Sequence, residues 1–403
     1  MTIAPTTDKS SFAPSMDIVD AMVARVHSIG DILGRNATIA DANRLVPQES
    51  VDALTKIGAF NISRLQRYGG YEGGARMLME VARAIGYYCP ASAWITVISN
   101  GSVMLTNRFD YELLDQVFAD EQPVLMASMF SSPQGKATRV ENGWRISGKW
   151  PFSSNIMNSQ WSIGILKTED NGKEGIGFAI LPRDQYTIED TWFTIGMRGT
   201  ASNTMVIDDQ LVPDLQVIPA ERMMGTGFES LSDETFGRKI TPHLTMSTTI
   251  ATPALGASER ALDFVVDMSH KRGVTNTSYF PQHSSGAFVS GLGKASQQIE
   301  SSYLLLSKAA DAIDRCAEGS DPMPKPVRAR HRGSIGHSGT VLAEALNDLC
   351  WLHGTAAFSE TSMLGRLWRD VNTGVRHASI TAPLNYELHG DGLVGIEMIS
   401  TKL

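Results

Sequence analysis

The spacing of apolar residues changes twice along this chain of 403 residues. Before about residue 120, apolar side chains recur every three or four positions, as at Ile18, Met22 and Val26, and this spacing predicts helices. Between residues 123 and 217 the apolar runs are short and alternating and are separated by turn pairs such as Asn142-Gly143, which predicts strands. Helical spacing returns after residue 240. The chain is therefore predicted to be an α+β protein whose strands lie between two helical blocks.

These changes divide the sequence into four predicted segments. Residues 16–120 form an N-terminal all-helical domain, and residues 121–217 form a central antiparallel β domain, a compact barrel or sandwich. Residues 218–240 form an irregular connection, rich in Gly, Met and Ser, that could act as a lid. Residues 241–403 form a C-terminal helical bundle and tail. The residues before about Pro14 are predicted to be a frayed tail.

Composition excludes several classes of protein. The formal net charge is −8 and no basic cluster stands out, so a nucleic-acid partner is not expected. No apolar run approaches the roughly 18 residues of a membrane span, and the N-terminus lacks the basic and apolar blocks of a signal peptide. The three cysteines, Cys89, Cys316 and Cys350, are far apart and fit neither a disulfide framework nor a zinc site. We therefore predict a cytoplasmic protein with no metal site and no membrane partner.

A hydroxyl-rich loop follows one of the predicted strands. Pro151 cannot donate to a strand ladder, so regular pairing ends there or the strand lies at an edge. Ser153 and Ser154 follow at once, beside Trp150 and Phe152. Flat aromatic surfaces next to small hydrogen-bonding groups suit a planar heteroaromatic ligand. The same residues also describe a hairpin with a serine-rich bulge and core aromatics, and the segment alone favours that structural interpretation.

Four motifs together resemble the acyl-CoA dehydrogenase superfamily. Within it, the chain is most similar to the two-component, reduced-flavin-dependent aromatic monooxygenases, which include the 4-hydroxyphenylacetate 3-hydroxylase oxygenase components and indole monooxygenases. The resemblance extends over roughly residues 16–390 and rests on the order and spacing of the motifs. They are Tyr68-Gly69-Gly70, Gly143 to Ser154, Gly196 to Asn203, and Leu367-Trp368-Arg369-Asp370 with His377.

The resemblance implies a fold, a cofactor and partners. The implied fold is acyl-CoA dehydrogenase-like, with an N-terminal helical domain, a central small β-barrel and a C-terminal four-helix bundle. The implied cofactor is reduced FAD or FMN, held between the β domain and the bundle. With O2 it would form a C4a-hydroperoxide that oxygenates a small aromatic substrate, a phenol or an indole-type compound. A separate NAD(P)H:flavin reductase and a homotetramer, in which one subunit's bundle helps to close a neighbour's site, are also implied.

The resemblance also assigns site residues. Ser154 matches the family serine near flavin N5, with Ser153 as the alternative if the loop register differs by one. His377 matches the family histidine that faces the oxygenated flavin and the substrate, and a histidine can hold or deliver a proton near neutral pH. Ser154 and His377 are the predicted catalytic residues. The predicted cofactor-binding residues are Trp150, Phe152, Ser153, Ser154, Arg198, Thr200, Ser202, Arg272 and Arg369.

Structural alternatives remain for the three arginines. Arg198 is equally well explained by an ion pair in a tight turn, and Arg272 by a solvated cation at a helix end. Arg369 is predicted to form an ion pair with Asp370 that shapes the bundle.

Two departures from the family bear on the reaction. Acyl-CoA dehydrogenases need a carboxylate base near the C-terminus, and the nearest relative of that motif here contains Glu387, well past the expected position. Phenol hydroxylases of this branch carry a histidine on the fourth helix, where Ser102 stands here. Ser102 and Asn100 are therefore predicted for the substrate pocket, and the missing histidine leaves room for a neutral aromatic such as indole beside a phenol. An acyl-CoA dehydrogenase-like FAD oxidoreductase and a non-catalytic helical scaffold are the alternatives.

Overall fold

The computed structural model of the protein describes residues 12–120, 122–129, 134–224, 235–319 and 323–396. The first part of the chain is helical. The helices are α1 Met16–Ser28, α2 Gly30–Asn43, α3 Gln48–Ile57, α4 Ala75–Tyr88, α5 Pro90–Thr106 and α6 Tyr111–Val117. The first helix ends at Ser28, and a second begins at Gly30. The apolar faces of α1 to α3 pack with parts of α4 and α5 in one core, and α6 and the rest of α4 and α5 join the core of the C-terminal helices. In α1, for example, Val19, Met22 and Val26 are buried at helical spacing.

Helix α5 lies at the centre of the molecule. All of its residues are buried. Its sequence is therefore apolar on every side of the helix and not amphipathic. It begins at Pro90, whose missing N–H costs nothing in a first helical turn. This helix carries its side chains toward both the strands and the C-terminal helices.

The strands that follow form one mixed sheet. They are β1 Met126–Met129, β2 Gly135–Val140, β3 Gly143–Trp150, β4 Trp161–Asp170, β5 Lys173–Pro182, β6 Thr187–Glu189, β7 Thr204–Val212 and β8 Val217–Pro219. The hydrogen-bonded order is β6-β7-β3-β2-β4-β5-β8, with β1 beside β4. Strand β4 runs parallel to both β1 and β2. The prediction of a purely antiparallel unit is therefore wrong at β4 and correct for the other pairings in this sheet.

Helices return after β8. They are α7 Ala220–Met224, α8 Phe236–Lys239, α9 Pro242–Thr249, α10 Thr252–Ser269, α11 Gly286–Glu318, α12 Lys325–His353, α13 Met363–Gly374 and α14 Ala382–Val394. The predicted irregular connection contains α7 and α8, while residues 225–234 of the candidate lid lie outside the described residues, as does most of the predicted N-terminal tail. Helix α14, which packs against α12, was not predicted. The division into domains stays a prediction.

A buried carboxylate joins the first helical block to the last. Asp314 of α11 accepts the backbone N–H groups of Ala75 (2.7 Å) and Arg76 (3.0 Å), which open α4 and have no acceptor within that helix. Gly74 precedes them, and a Cβ at this position would lie 2.2 Å from the Asp314 carboxylate. Burial raises the pKa of Asp314 to about 7. Within the described residues, no helix has the length and apolarity needed to cross a membrane.

Candidate active site

A cavity of about 600 Å³ lies where the sheet meets the helices. Its walls come from α5 and β1, from the loops after β3 and β6, from α9 and α12, and from the stretch between the end of α13 and the start of α14. The volume is in the range of small-molecule sites. The N-terminal helices, the strands and the C-terminal helices all contribute residues to this cavity. The cavity therefore forms only where these three parts pack together.

Two loops meet at the strand side of the cavity and are tied together by their backbones. The N–H of Ser153 donates to the carbonyl of Asn203 (3.0 Å), and the N–H of Asn155 donates to the carbonyl of Thr200 (3.0 Å). Phe152 and Asn155 take left-handed backbone angles, with φ of 64° and 66°. Of the two serines between these turns, Ser154 has its side chain at the cavity.

Ser154 belongs to a chain of hydroxyl groups whose direction is fixed. Thr200 Oγ1 donates its one proton to the carbonyl of Met197 (2.8 Å), so it accepts from Ser202 Oγ (2.7 Å). Ser202 in turn accepts from Ser154 Oγ (2.7 Å). Ser154 Oγ also accepts from Trp94 Nε1 (3.1 Å). Because a hydroxyl has one proton and two acceptor positions, Ser154 keeps one acceptor position open and has no proton to give to a ligand.

The loop that carries Thr200 and Ser202 is held by a buried carboxylate on α13. Asp370 Oδ1 accepts the backbone N–H of Met197 (2.6 Å). Met197 and Ala201 both have positive φ, 52° and 44°, a conformation that non-glycine residues keep only when their surroundings enforce it. Burial raises the pKa of Asp370 to about 6, against the opposing effect of the hydrogen bond from Met197.

His377 lines the cavity next to α5. Its ring packs edge-on against Trp94, with centroids 5.6 Å apart. The backbone N–H of Ser379 points at Nδ1 (3.2 Å), and Ser379 Oγ lies 2.8 Å from the same atom. Because a backbone N–H can only donate, Nδ1 accepts and the neutral ring carries its proton on Nε2. The ring faces the open cavity, yet the surrounding protein atoms desolvate it and lower its pKa to about 4, so it is neutral at pH 7.

Phe152 and Trp192 stand together at the strand side of the cavity. Their rings are perpendicular, with centroids 6.1 Å apart, and Phe152 is 66 % exposed. The indole of Trp192 is fixed by its Nε1, which donates to the carbonyl of Met197 (3.0 Å). The hydroxyl chain and these two rings give this side of the cavity a polar edge beside apolar surfaces.

The structure brings five of the predicted site residues together. All five line the cavity; they are Phe152, Ser154, Thr200, Ser202 and His377. They lie up to 225 positions apart in the sequence. Their roles toward a ligand stay predictions.

Two residues predicted to bind the ligand, Trp150 and Ser153, do not lie at the cavity. Trp150 was expected to form a wall of the ligand site, but its ring is fully buried in the core of the sheet and Nε1 donates to the carbonyl of Ile165 (2.7 Å). Ser153 was the alternative to Ser154, but its hydroxyl donates to the carbonyl of Trp150 (2.9 Å). Both side chains are fully buried and neither lines the cavity.

The three predicted arginines lie outside the lining of the cavity. Arg198 Nε donates to the carbonyl of Asp41 (2.6 Å) and lies 3.6 Å from Asp41 Oδ1, an ion pair that agrees with its structural alternative. Arg369 pairs with Asp41 Oδ2 (2.7 Å), so the predicted ion pair with Asp370 is wrong. Arg272 Nη1 donates to the carbonyl of His353 (3.0 Å), at the end of α12.

Asn100 and Ser102 do not line the cavity either. The amide of Asn100 is used internally, since Oδ1 accepts from the N–H of Ser63 (3.0 Å) and Nδ2 donates to two carbonyls. Ser102 Oγ donates to the carbonyl of Ile98 (2.7 Å) and lies 2.9 Å from Ser128 Oγ. Ser128, not Ser102, reaches the cavity, so the predicted direct contact of Ser102 with a substrate is wrong.

Several cavity residues had no signal in the sequence. They are Trp94, Trp192, His243, Arg332 and Arg376. Isolated aromatic or basic residues on helices have many structural explanations, and only the packing of distant elements reveals them. Among the described residues that line the cavity, none is Asp or Glu.

Comparisons with known proteins agree with this architecture. The family model described as "Acyl-CoA dehydrogenase, C-terminal domain" matches residues 248–382. A solved structure of XiaF from Streptomyces sp., in complex with FADH2 and glycerol, superposes with a TM-score of 0.93 at 31% identity, covering 96% of this chain and 98% of that chain. The predicted α+β class and acyl-CoA dehydrogenase-like fold are thereby confirmed.

Two curated proteins are similar over nearly their full length. One is the flavin-dependent monooxygenase oxygenase subunit HsaA of Rhodococcus jostii (strain RHA1), 26% identical, with 94% of this chain and 100% of that protein covered. The other is the FADH(2)-dependent resorcinol hydroxylase oxygenase component of Rhizobium sp. (strain MTP-10005), 27% identical, with 93% of this chain and 94% of that protein covered.

Removing the anchor of the 197–202 loop should loosen that loop specifically. Asp370→Ala leaves the N–H of Met197 without its acceptor, and a charge-assisted hydrogen bond is worth about 1.5–3 kcal/mol. Amide hydrogen exchange in a peptide spanning Met197 should therefore become about tenfold faster or more. In the control Asp370→Asn, the amide oxygen can still accept and exchange should stay near the wild-type rate. Unchanged exchange in Asp370→Ala would contradict the anchoring role.

The neutral state of His377 predicts a pH dependence of stability. The pKa is about 4 in the folded protein and about 6.5 when unfolded, so the unfolded state binds more protons between these values. The stability contributed by neutral His377 is therefore fully present above pH 6.5 and is lost as the pH falls toward 4. The thermal midpoint of the wild type should fall over this range relative to that of His377→Gln. A difference between the two proteins that does not change with pH would contradict the lowered pKa.

Proposed function

Because this chain belongs to the flavin-dependent monooxygenases that have the acyl-CoA dehydrogenase fold, we propose that it uses reduced flavin and O2 to oxygenate a small aromatic substrate. It is an oxygenase component, and a separate flavin reductase supplies its reduced flavin. The observation that carries the proposal for this site is the directed hydroxyl chain that ends at Ser154, facing a cavity whose described lining contains no carboxylate.

The residues on the strand side fit a reduced flavin ring. Reduced FAD or FMN supplies the electrons that activate O2 when bound. Its N5 carries a proton, and Ser154 Oγ has one open acceptor position and no proton to give. Trp192 and Phe152 supply apolar surfaces for a flat ring, and the backbone ties between their loops keep the hydroxyl in place. Ser154 is therefore proposed to hold N5–H, with Thr200 and Ser202 as the groups that orient Ser154.

His377 is proposed as the group that holds a proton at the reacting side. Its Nδ1 is occupied by Ser379, so the ring presents Nε2–H as a donor. A neutral donor adds no charge to a cavity from which water must be excluded. The role needs no titration of His377 near neutral pH, since its pKa is about 4.

The cavity argues against the dehydrogenase alternative. An acyl-CoA dehydrogenase needs a carboxylate that takes a proton from the substrate, and none is found among the described lining residues. Glu387, the nearest relative of that base in the sequence, is exposed on α14. The remaining cavity surface, from Ile98, Met129, Met246 and Ile250, is suited to a small aromatic ring, either a phenol or an indole-type compound.

The homotetramer stays a proposal. Arg272, at the end of α10, lies outside its own chain's cavity, so a contact of this residue with a flavin would have to be made to the cofactor of a second copy. Two exposed apolar side chains, Trp351 in the last turn of α12 and Phe358 in the segment that follows, support an interface between copies. A cytoplasmic location likewise stays a prediction.

An isotope experiment tests the proposed reaction. The purified protein is mixed with photochemically reduced FAD or FMN, an aromatic substrate panel and ¹⁸O2, which removes any dependence on a particular reductase. The proposal expects a product that contains one ¹⁸O atom and that is absent without the protein. Flavin reoxidation that yields only hydrogen peroxide, with no labelled product from any phenol or indole in the panel, would contradict it.

Replacing Ser154 should shift the outcome from product to peroxide. Ser154→Ala removes the acceptor proposed for N5–H, and one net hydrogen bond is worth about 0.5–1.5 kcal/mol. The ratio of hydrogen peroxide to product should therefore rise roughly 2- to 12-fold, as measured by peroxidase assay and chromatography. Ser153→Ala is the matched control, because that neighbouring hydroxyl donates to the carbonyl of Trp150 and does not line the cavity. Equal effects of the two substitutions would contradict the role of Ser154.

A further inference from the structure

A buried arginine faces the cavity from the helical side. Arg332 of α12 is only 3 % exposed, yet it lines the cavity. Burial lowers its pKa to about 10, which leaves the guanidinium charged at neutral pH. Its recorded partners are all neutral: Asn385 Oδ1 (2.7 Å from Nε), His243 Nδ1 (3.1 Å from Nη1) and the carbonyl of Ser379 (3.0 Å from Nη2). Among the described residues, no Asp or Glu forms an ion pair with it.

The number of donors on this guanidinium exceeds the number of these acceptors. An arginine has five N–H groups in one plane, and the three partners take one each. One N–H on Nη1 and one on Nη2 therefore remain. Donors on these two nitrogens can bind a carboxylate through both of its oxygens. A buried charge is normally paired with an opposite charge. For Arg332, the space from which such a partner can approach is the cavity.

The position of Arg332 separates it from the groups proposed to hold the flavin. Ser154 and Ser202 lie on the loops of the strand side, whereas Arg332 lies on α12 and His243 on α9. The apolar side chain of Leu384, from α14, lines the same helical side. A ligand bound at Arg332 would therefore place an apolar body among the helices and direct its charged end to the guanidinium.

We propose that Arg332 is the substrate-recognition residue of this enzyme and that the substrate is an aromatic acid whose carboxylate it binds through Nη1 and Nη2. His243 is a positioning residue: by accepting from Nη1 it fixes the plane of the guanidinium. The inference rests on the proposed function for the reaction at the ring, whereas the carboxylate site is defined by binding alone. The other source of an anionic oxygen is the reduced flavin itself, and the test separates the two.

The first experiment compares acids with amides of the same shape. Flavin-free wild-type protein is titrated by calorimetry with indole-3-acetate against indole-3-acetamide, 4-hydroxyphenylacetate against its amide, and benzoate against benzamide. The proposal expects the acid of at least one pair to bind about 30-fold more tightly than its amide, the lower end of the effect of a buried charge pair. Equal binding within every pair, or no binding of any acid at millimolar concentration, would overturn it without any substitution.

The second experiment uses variants. In Arg332→Met, the preferred acid should lose about 30-fold in affinity while its amide changes by less than about 3-fold. Arg332→Lys, which keeps the charge but not the two parallel donors, should retain part of the preference. Arg376→Met is the control, because Arg376 also lines the cavity but is exposed and donates to Asn372 in its own segment. Circular dichroism establishes that each variant is folded.

Anaerobic titration with reduced FAD and FMN distinguishes the two sources of the anion. Reduced-flavin affinity should be the same in Arg332→Met as in the wild type. Loss of flavin affinity with unchanged acid binding would overturn the inference in favour of a flavin contact, and loss of acid preference in Arg376→Met instead would assign the site to Arg376. Failure of the proposed function would appear separately, as wild-type protein that binds the acids but neither binds reduced flavin nor forms product.

Discussion

The hydrogen bond from the Met197 N–H to the buried carboxylate of Asp370 is the contact on which the site depends. It joins the loop after β6 to α13, and so joins the strand part of the chain to the C-terminal helices. The loop takes left-handed backbone angles at Met197 and Ala201 that it would not keep alone. Through this contact Thr200 and Ser202 are held where they orient Ser154, which also accepts from Trp94 on α5. Through this anchored loop, residues from all three parts of the chain determine the position of the Ser154 hydroxyl group.

The sequence predicts helices and strands better than it predicts which side chains face the cavity. Apolar spacing identified the helices and most strands, because burial of one face is recorded locally. It missed the parallel pairing of β4, which depends on strands distant in sequence, and α14, which is stabilised by packing against α12. Resemblance placed Ser154 and His377 at the cavity, yet it placed Trp150 and Ser153 there as well. Those two side chains are buried away from the cavity, and only the folded loop determines which serine lines it.

The charges around the cavity divide it into two parts with different requirements. The strand side is built from neutral hydroxyl and indole groups. His377, in the segment between α13 and α14, is kept neutral by desolvation, which lowers its pKa. The helical side contains Arg332, a cation with neutral partners. Such an arrangement lets a flat cofactor and an anionic substrate occupy one cavity without competing for the same groups. Because the hydroxyl chain ends in an acceptor, it also makes the site sensitive to the protonation state of whatever binds there.

That sensitivity gives the most direct test of the account. Reduced flavin has a proton on N5, whereas oxidised flavin presents a lone pair there, and Ser154 has already given its only proton to Ser202. An unsatisfied buried acceptor costs about 1–3 kcal/mol. The dissociation constants of reduced and oxidised FAD and FMN, measured with the same wild-type protein under anaerobic conditions, should therefore differ by about tenfold or more in favour of the reduced form. Equal affinities, or tighter binding of oxidised flavin, would contradict the account.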